Sequence, residues 1–308
     1  SGKTHSALQF LADAGRGVFA APLRMLAQEA HRRLAEAQTL ARHADKAWLE
    51  SRVAYVLAAL VADFQGDHDH AIDILRGGIA LAEEVDDLPL VAEGHLRLAA
   101  ILWNRGELAD AETELRRCLE FATNLGSLRL EAEATSWLGM IRYHRGDPEE
   151  GERLCRRARD WLERTGDTYF QVQNLVRGLA SFALAEGRPE EAEACLREAV
   201  PVALQIGGGG VIEAYRYLVE ALVAQERLDD ARELVAFAAR NLPEEDGYAR
   251  SSFMMAEASV ATAAGEATTA ATAFTEALRL IEGLGVPLDL GEARVALGRS
   301  LRTFGDVI

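Results

Sequence analysis

The chain repeats itself. "QGDHDHAIDIL" starts at Gln65, and "RGELADAETEL", "RGDPEEGERLC", "EGRPEEAEACL", "QERLDDARELV" and "AGEATTAATAF" follow it. Gly66, Gly106, Gly146, Gly187 and Gly265 mark one position in this pattern, Glu226 stands in the glycine's place in one copy, and Gly305 closes the series. The steps between these marks are 40, 40, 41, 39, 39 and 40 residues. A fixed period in this range signals stacked units, because one unit is too short to bury its own apolar face.

Each unit reads as two helices. "LVAEGHLRLAAILWN" precedes one turn and "ADAETELRRCLEFATNL" follows it. In the second segment Ala111, Leu115, Cys118, Leu119 and Ala122 recur with helical spacing. The glycine suits a left-handed cap on the first helix. Asp67, Glu107 and Asp147 suit the positive start of the second, and Pro148 and Pro189 fit its first turn. Asp86–Asp87, Gly126, Gly166–Asp167, Gly207–Gly210, Asp246–Gly247 and Gly285 separate the units. Small residues fall where two helices must approach closely: Ala59, Ala99, Gly139 and Ala180 before the turns, and Ala71, Ala111, Gly151 and Ala192 after them. Strand-like alternation is absent, so the chain is expected to be all-α.

The net charge of −16 argues against direct binding of nucleic acid or an anionic membrane. No stretch reaches the roughly 20 apolar residues of a membrane span. The N-terminus lacks a basic segment followed by an apolar run, so no secretory signal is expected, and the cytoplasm is the expected compartment. The three cysteines, Cys118, Cys155 and Cys195, lie on apolar helix stripes and read as small buried hydrophobes, not as a disulfide framework or a zinc site.

With its turn, small and large positions in register, the chain from about residue 44 to 304 resembles the tetratricopeptide repeat, in the forty-residue form of MalT-like and AfsR-like bacterial regulators. That resemblance implies a right-handed α-solenoid of about six to seven stacked helix-turn-helix repeats over residues 44–308. Glu226, Glu257 (where the family usually has Leu) and the Gly207–Gly210 run depart from the pattern, and the last of these is expected to be a soft joint.

The resemblance also implies a concave groove lined by the first helix of each unit, taking a protein or peptide and leaving homo-oligomerisation open. Carried onto this chain, the lining comprises Phe64, Leu96, Trp103 and Asn104, then Met140, Tyr143 and His144, then Asn174, Arg177 and Arg216. Trp103 and Tyr143 offer rigid apolar area with a polar tip. Asn104 and Asn174 can pair with a peptide backbone. Arg177 and Arg216 suit a carboxylate, or else pair with neighbours such as Glu213 and Glu220. No nucleophile–base pair stands out, so no catalytic residue and no cofactor is expected. Two histidines at i, i+2 in "DHDH" do not share a helix face, so no metal is expected there.

Residues 1–34 lack the repeat. They resemble a fragment of a Suv3-type helicase, with Ser1–Thr4 as the tail of a P-loop in which Lys3 would reach phosphates and Thr4 would hold Mg²⁺. No acidic Mg²⁺-binding motif follows a strand, so residues 1–43 are read as a helical cap or a fusion remnant. A piece of an ATP-dependent NTPase fused to repeats is the alternative.

Overall fold

The structure, a computed structural model, describes residues 23–43, 46–62, 66–206, 209–240, 242 and 246–305. Fourteen helices and no strands occupy them. Helix α1 (Leu23–His43) lies on α2 (Ala47–Leu60), where Arg42 pairs with the buried Glu50 at 2.6 Å. Then α2 pairs with α3 (His68–Glu84), α4 (Leu88–Asn104) with α5 (Leu108–Leu125), and α6 (Leu128–His144) with α7 (Pro148–Thr165). Helix α8, continuous through Thr168–Gln173, Asn174–Ala180 and Ser181–Ala185, pairs with α9 (Pro189–Ile206). Helix α10 (Gly209–Ala224) pairs with α11 (Leu228–Arg240), and α12 (Gly247–Ala263) with α13 (Ala267–Leu284). Helix α14 (Pro287–Phe304) begins a seventh unit. The array is a tetratricopeptide-like α-solenoid.

The punctuation seen in the sequence sets the helix ends. Gly106, Gly146, Gly187 and Gly265 all have positive φ, and Glu226 takes φ 61° in the same place. At each of these turns the backbone closes in a Schellman pattern: Glu107 N–H reaches Leu102 O at 2.9 Å, Arg188 N–H reaches Ala183 O at 2.7 Å, and Arg227 N–H reaches Leu222 O at 2.9 Å. Side chains cap the following helices, Asp67 accepting from His70 N–H, Asp87 from Leu90, Asp167 from Phe170 and Asp246 from Ala249. Each such cap contributes about 1 kcal/mol. Asp67 and His70 of the "DHDH" run are thereby a helix start.

Close approach uses the small residues. A Cβ on Gly139 would lie 2.8 Å from the Gly151 carbonyl oxygen and 2.7 Å from Cys155 Sγ, so α6 and α7 meet backbone to backbone. All three cysteines are buried. The 41-residue step has a structural counterpart: Asn174–Ala180 is wound as a π-helix, which absorbs one extra residue inside α8. Gly207 and Gly208 lie outside the described residues. Gly210, expected in a joint between repeats, instead belongs to the first turn of α10.

A ladder of carboxylates on the second helices ties successive units together. Glu112 of α5 receives Arg116 at 2.7 Å from its own helix and Arg142 at 2.6 Å from the next unit, with Arg145 beside it. Glu152 of α7 receives Arg188 at 2.9 Å, and Glu193 of α9 receives Arg227 at 2.9 Å. Apolar packing forms one continuous core from α2 to α12 and a smaller cluster joining α12, α13 and α14. No helix among the described residues is long and apolar enough to cross a membrane.

Candidate functional site: the lumen of the superhelix

Helices α4, α6, α8, α10, α12 and α14 face one another across the inside of the array. The curvature is tight. A Cβ on Gly106, in the α4–α5 turn, would stand 3.1 Å from Pro287 Cγ at the head of α14. Units far apart in sequence can touch in this way only on a concave side.

An aromatic run crosses three units at one end of this lumen. Trp103 of α4 meets Trp137 of α6 edge to face at 5.6 Å and His144 of α6 at 5.1 Å. His144 lies 5.9 Å from Tyr143, which stacks flat on Phe182 of α8 at 3.7 Å. Burial lowers the His144 pKa, so its imidazole is neutral near pH 7, where it can offer one donor and one acceptor. Trp137 Nε1 is buried without an acceptor.

Deeper in, two arginines anchor a polar network. Arg177 Nε lies 2.8 Å from Glu213 Oε1 of α10, its guanidinium donates to the Tyr248 hydroxyl of α12, and Asp289 of α14 is 3.9 Å away. Tyr248 Oη is 2.7 Å from Glu213 and 3.0 Å from Asp289. Beside this group, Arg216 of α10 donates to Glu220 at 2.9 Å and lies 3.6 Å from Glu292 of α14, which accepts from Tyr217 at 3.2 Å. Burial works against the charge of both guanidiniums, yet the carboxylates around them raise their pKa well above the ordinary arginine value. Burial raises Glu292 above the ordinary carboxylate value. Its side chain still keeps 36 % of its surface although protein surrounds it, as expected for a wall of an open lumen. Toward the other rim, Arg97 pairs with Glu93 at 2.6 Å, and Arg129 with the buried Glu133 at 2.6 Å.

The expected lining residues divide. Asn104, Tyr143 and His144 are partly exposed. Leu96, Trp103, Met140 and Asn174 are buried between helices and present almost no surface, because the curvature that draws the first helices together closes over them. Asn174 Nδ2 donates to Ser136 Oγ at 2.8 Å, which joins α8 to α6, while its Oδ1 is buried without a hydrogen-bond partner. Arg177 and Arg216 are already paired, with the Glu213 and Glu220 named as their alternatives. Phe64, Lys3 and Thr4 lie outside the described residues. The sequence reading missed Trp137, Tyr217, Tyr248, Asp289 and Glu292. Trp137 sits two helical turns before His144 and was detectable by period, whereas the others are assembled by curvature alone. No group of His, Cys, Asp and Glu among the described residues could hold a metal ion.

Three segments, residues 92–117, 132–157 and 175–198, match the tetratricopeptide repeat model. The fold is that of a tetratricopeptide-repeat solenoid. Among solved structures, a Rap protein complexed with competence and sporulation factor aligns with a TM-score of 0.69 at 14% identity, covering 95% of this chain and 83% of that one. BtubC from P. vanneervenii aligns with a TM-score of 0.56 at 19% identity, covering 71% of this chain and 90% of that one. Residues 1–45 match the DEXQ-box helicase domain of Suv3. A search of curated proteins finds no relative.

Proposed function

We propose that this chain binds a peptide segment in its lumen and that it serves as the sensor or interaction region of a cytoplasmic signalling or transcription regulator, with residues 1–43 as a cap or a fusion remnant. The observation that carries this reading is the convergence of partly exposed polar and aromatic side chains from separate units on one concave surface: Arg97 and Asn104 of α4, Trp137 and His144 of α6, Glu220 of α10 and Glu292 of α14. Such a surface gives a guest apolar contact and orienting hydrogen bonds without chemistry of its own. The competence and sporulation factor complexed with the Rap protein of like fold supports use as a binding scaffold.

Selection from a displayed random-peptide library tests it. Peptides are expected to be recovered whose binding is lost on His144→Ala and on Arg97→Ala. Recovery of none, or of peptides indifferent to both substitutions, would sink the groove. The helicase-like match at residues 1–45 carries a second reading, nucleotide binding through Lys3 and Thr4. Mg-ATP raising the melting temperature of the wild-type chain but not of Lys3→Ala would favour it.

A further inference from the structure

We propose that α14 is a clasp on the lumen: its first turn closes the array onto the second unit, and a guest enters when α14 swings out about Gly285. The purpose of the clasp rests on the groove reading, while its existence rests on geometry alone.

Three observations converge. The first is the contact itself. Pro287 meets Gly106 across the open side of the superhelix, three residues beyond Trp103 of the aromatic run. The second is how lightly α14 is seated. Of its 18 residues only Ala293 and Ser300 are buried, whereas α4 buries Leu90, Val91, Leu98, Ala99 and seven others. Elements with few buried apolar contacts are the ones that open locally. Gly285, the left-handed cap of α13 at φ 68° with open space where a Cβ would stand, is the point about which α14 would turn.

The third observation is charge. With α14 away, Arg177–Glu213 and Arg216–Glu220 are two neutral pairs. Closure adds Asp289 and Glu292 and no new cation. The closed state therefore gathers like charge in a partly desolvated space, which limits how tightly the clasp holds.

Cysteines at positions 106 and 287 would have Cβ atoms 3.9 Å apart, within the range of a disulfide. The experiment makes Gly106→Cys with Pro287→Cys in a Trp48→Phe, Trp161→Phe background, leaving Trp103 and Trp137 as reporters. The disulfide is expected to form in the folded protein, and oxidation to reduce acrylamide quenching of the two tryptophans, with reduction restoring it. A folded, helical protein that fails to form the bond would overturn the proposal, and so would quenching that is the same in both redox states. Hydrogen exchange on the unmodified chain is the second measurement: α14 amides are expected to exchange faster than those of α4 and α12, and equal protection would also overturn the clasp. Peptide selection reads guest binding without the lock, and these measurements read closure without a guest, so either conclusion can fail alone.

Discussion

The Tyr248 hydroxyl stands 2.7 Å from Glu213 and 3.0 Å from Asp289, with one proton to give to two carboxylates. Arg177 donates to the same oxygen, so four helices meet at one phenol. Removing the hydroxyl leaves the buried Glu213 with its ion pair but without a donor that water cannot easily replace. A hydrogen bond to a charged group contributes about 1.5–3 kcal/mol. Tyr248→Phe is expected to lower the urea midpoint accordingly and to leave helix content unchanged. A midpoint equal to that of wild type would mean that the hydroxyl is not a fastener.

This junction also marks the limit of what the sequence discloses. The helix pairs were legible because their causes are local: a glycine at each turn, an aspartate at many helix starts, small residues at the close contacts. The extra residue in the third step was visible too, and it became the π turn of α8. The lumen was not legible, since Tyr248 reaches Arg177 across 71 positions and Glu292 reaches Tyr217 across 75. Only the summed rotation between units brings such pairs together, and no periodic signal records it. The same rotation explains why Trp103 and Met140 are covered: a first-helix position is open on a gently curved array and closed on a tight one.

Glu226 occupies a left-handed position that its equivalents fill with glycine, and its side chain is exposed. A Cβ in that conformation costs about 1–2 kcal/mol. Nothing in its surroundings offsets the strain, because the Schellman bonds at this turn use the backbone alone. Glu226→Gly is therefore expected to raise stability by about 1 kcal/mol. The check is the urea midpoint, which should rise with an unchanged slope. A fall would show that the glutamate side chain stabilises the turn.

The carboxylate ladder and the clasp respond to pH with opposite signs. Burial alone would raise the pKa of Glu112, but Arg116, Arg142 and Arg145 outweigh it and hold the carboxylate below its ordinary value of 4.5. Its contribution is present above that value and is lost as pH falls through the lowered pKa. Glu292 is the reverse case. Burial raises its pKa; Arg216 and Arg177 pull it down, Asp289 and Glu220 push it up, and Tyr217 donates to it. The neighbouring Tyr248 and His144 bear on Asp289 rather than on Glu292 directly. The contribution of Glu292 to closure is full below about pH 4.5 and fades as pH rises through the raised value. After correction for intrinsic rates, amide protection in α14 is expected to fall between pH 4 and pH 7 while protection in α5 rises over the lower part of that range. Glu292→Gln cannot ionise, so it should flatten the α14 profile and leave the α5 profile unchanged. Parallel profiles for the two helices, or a Glu292→Gln profile that still falls, would rule out Glu292 as the source of the effect.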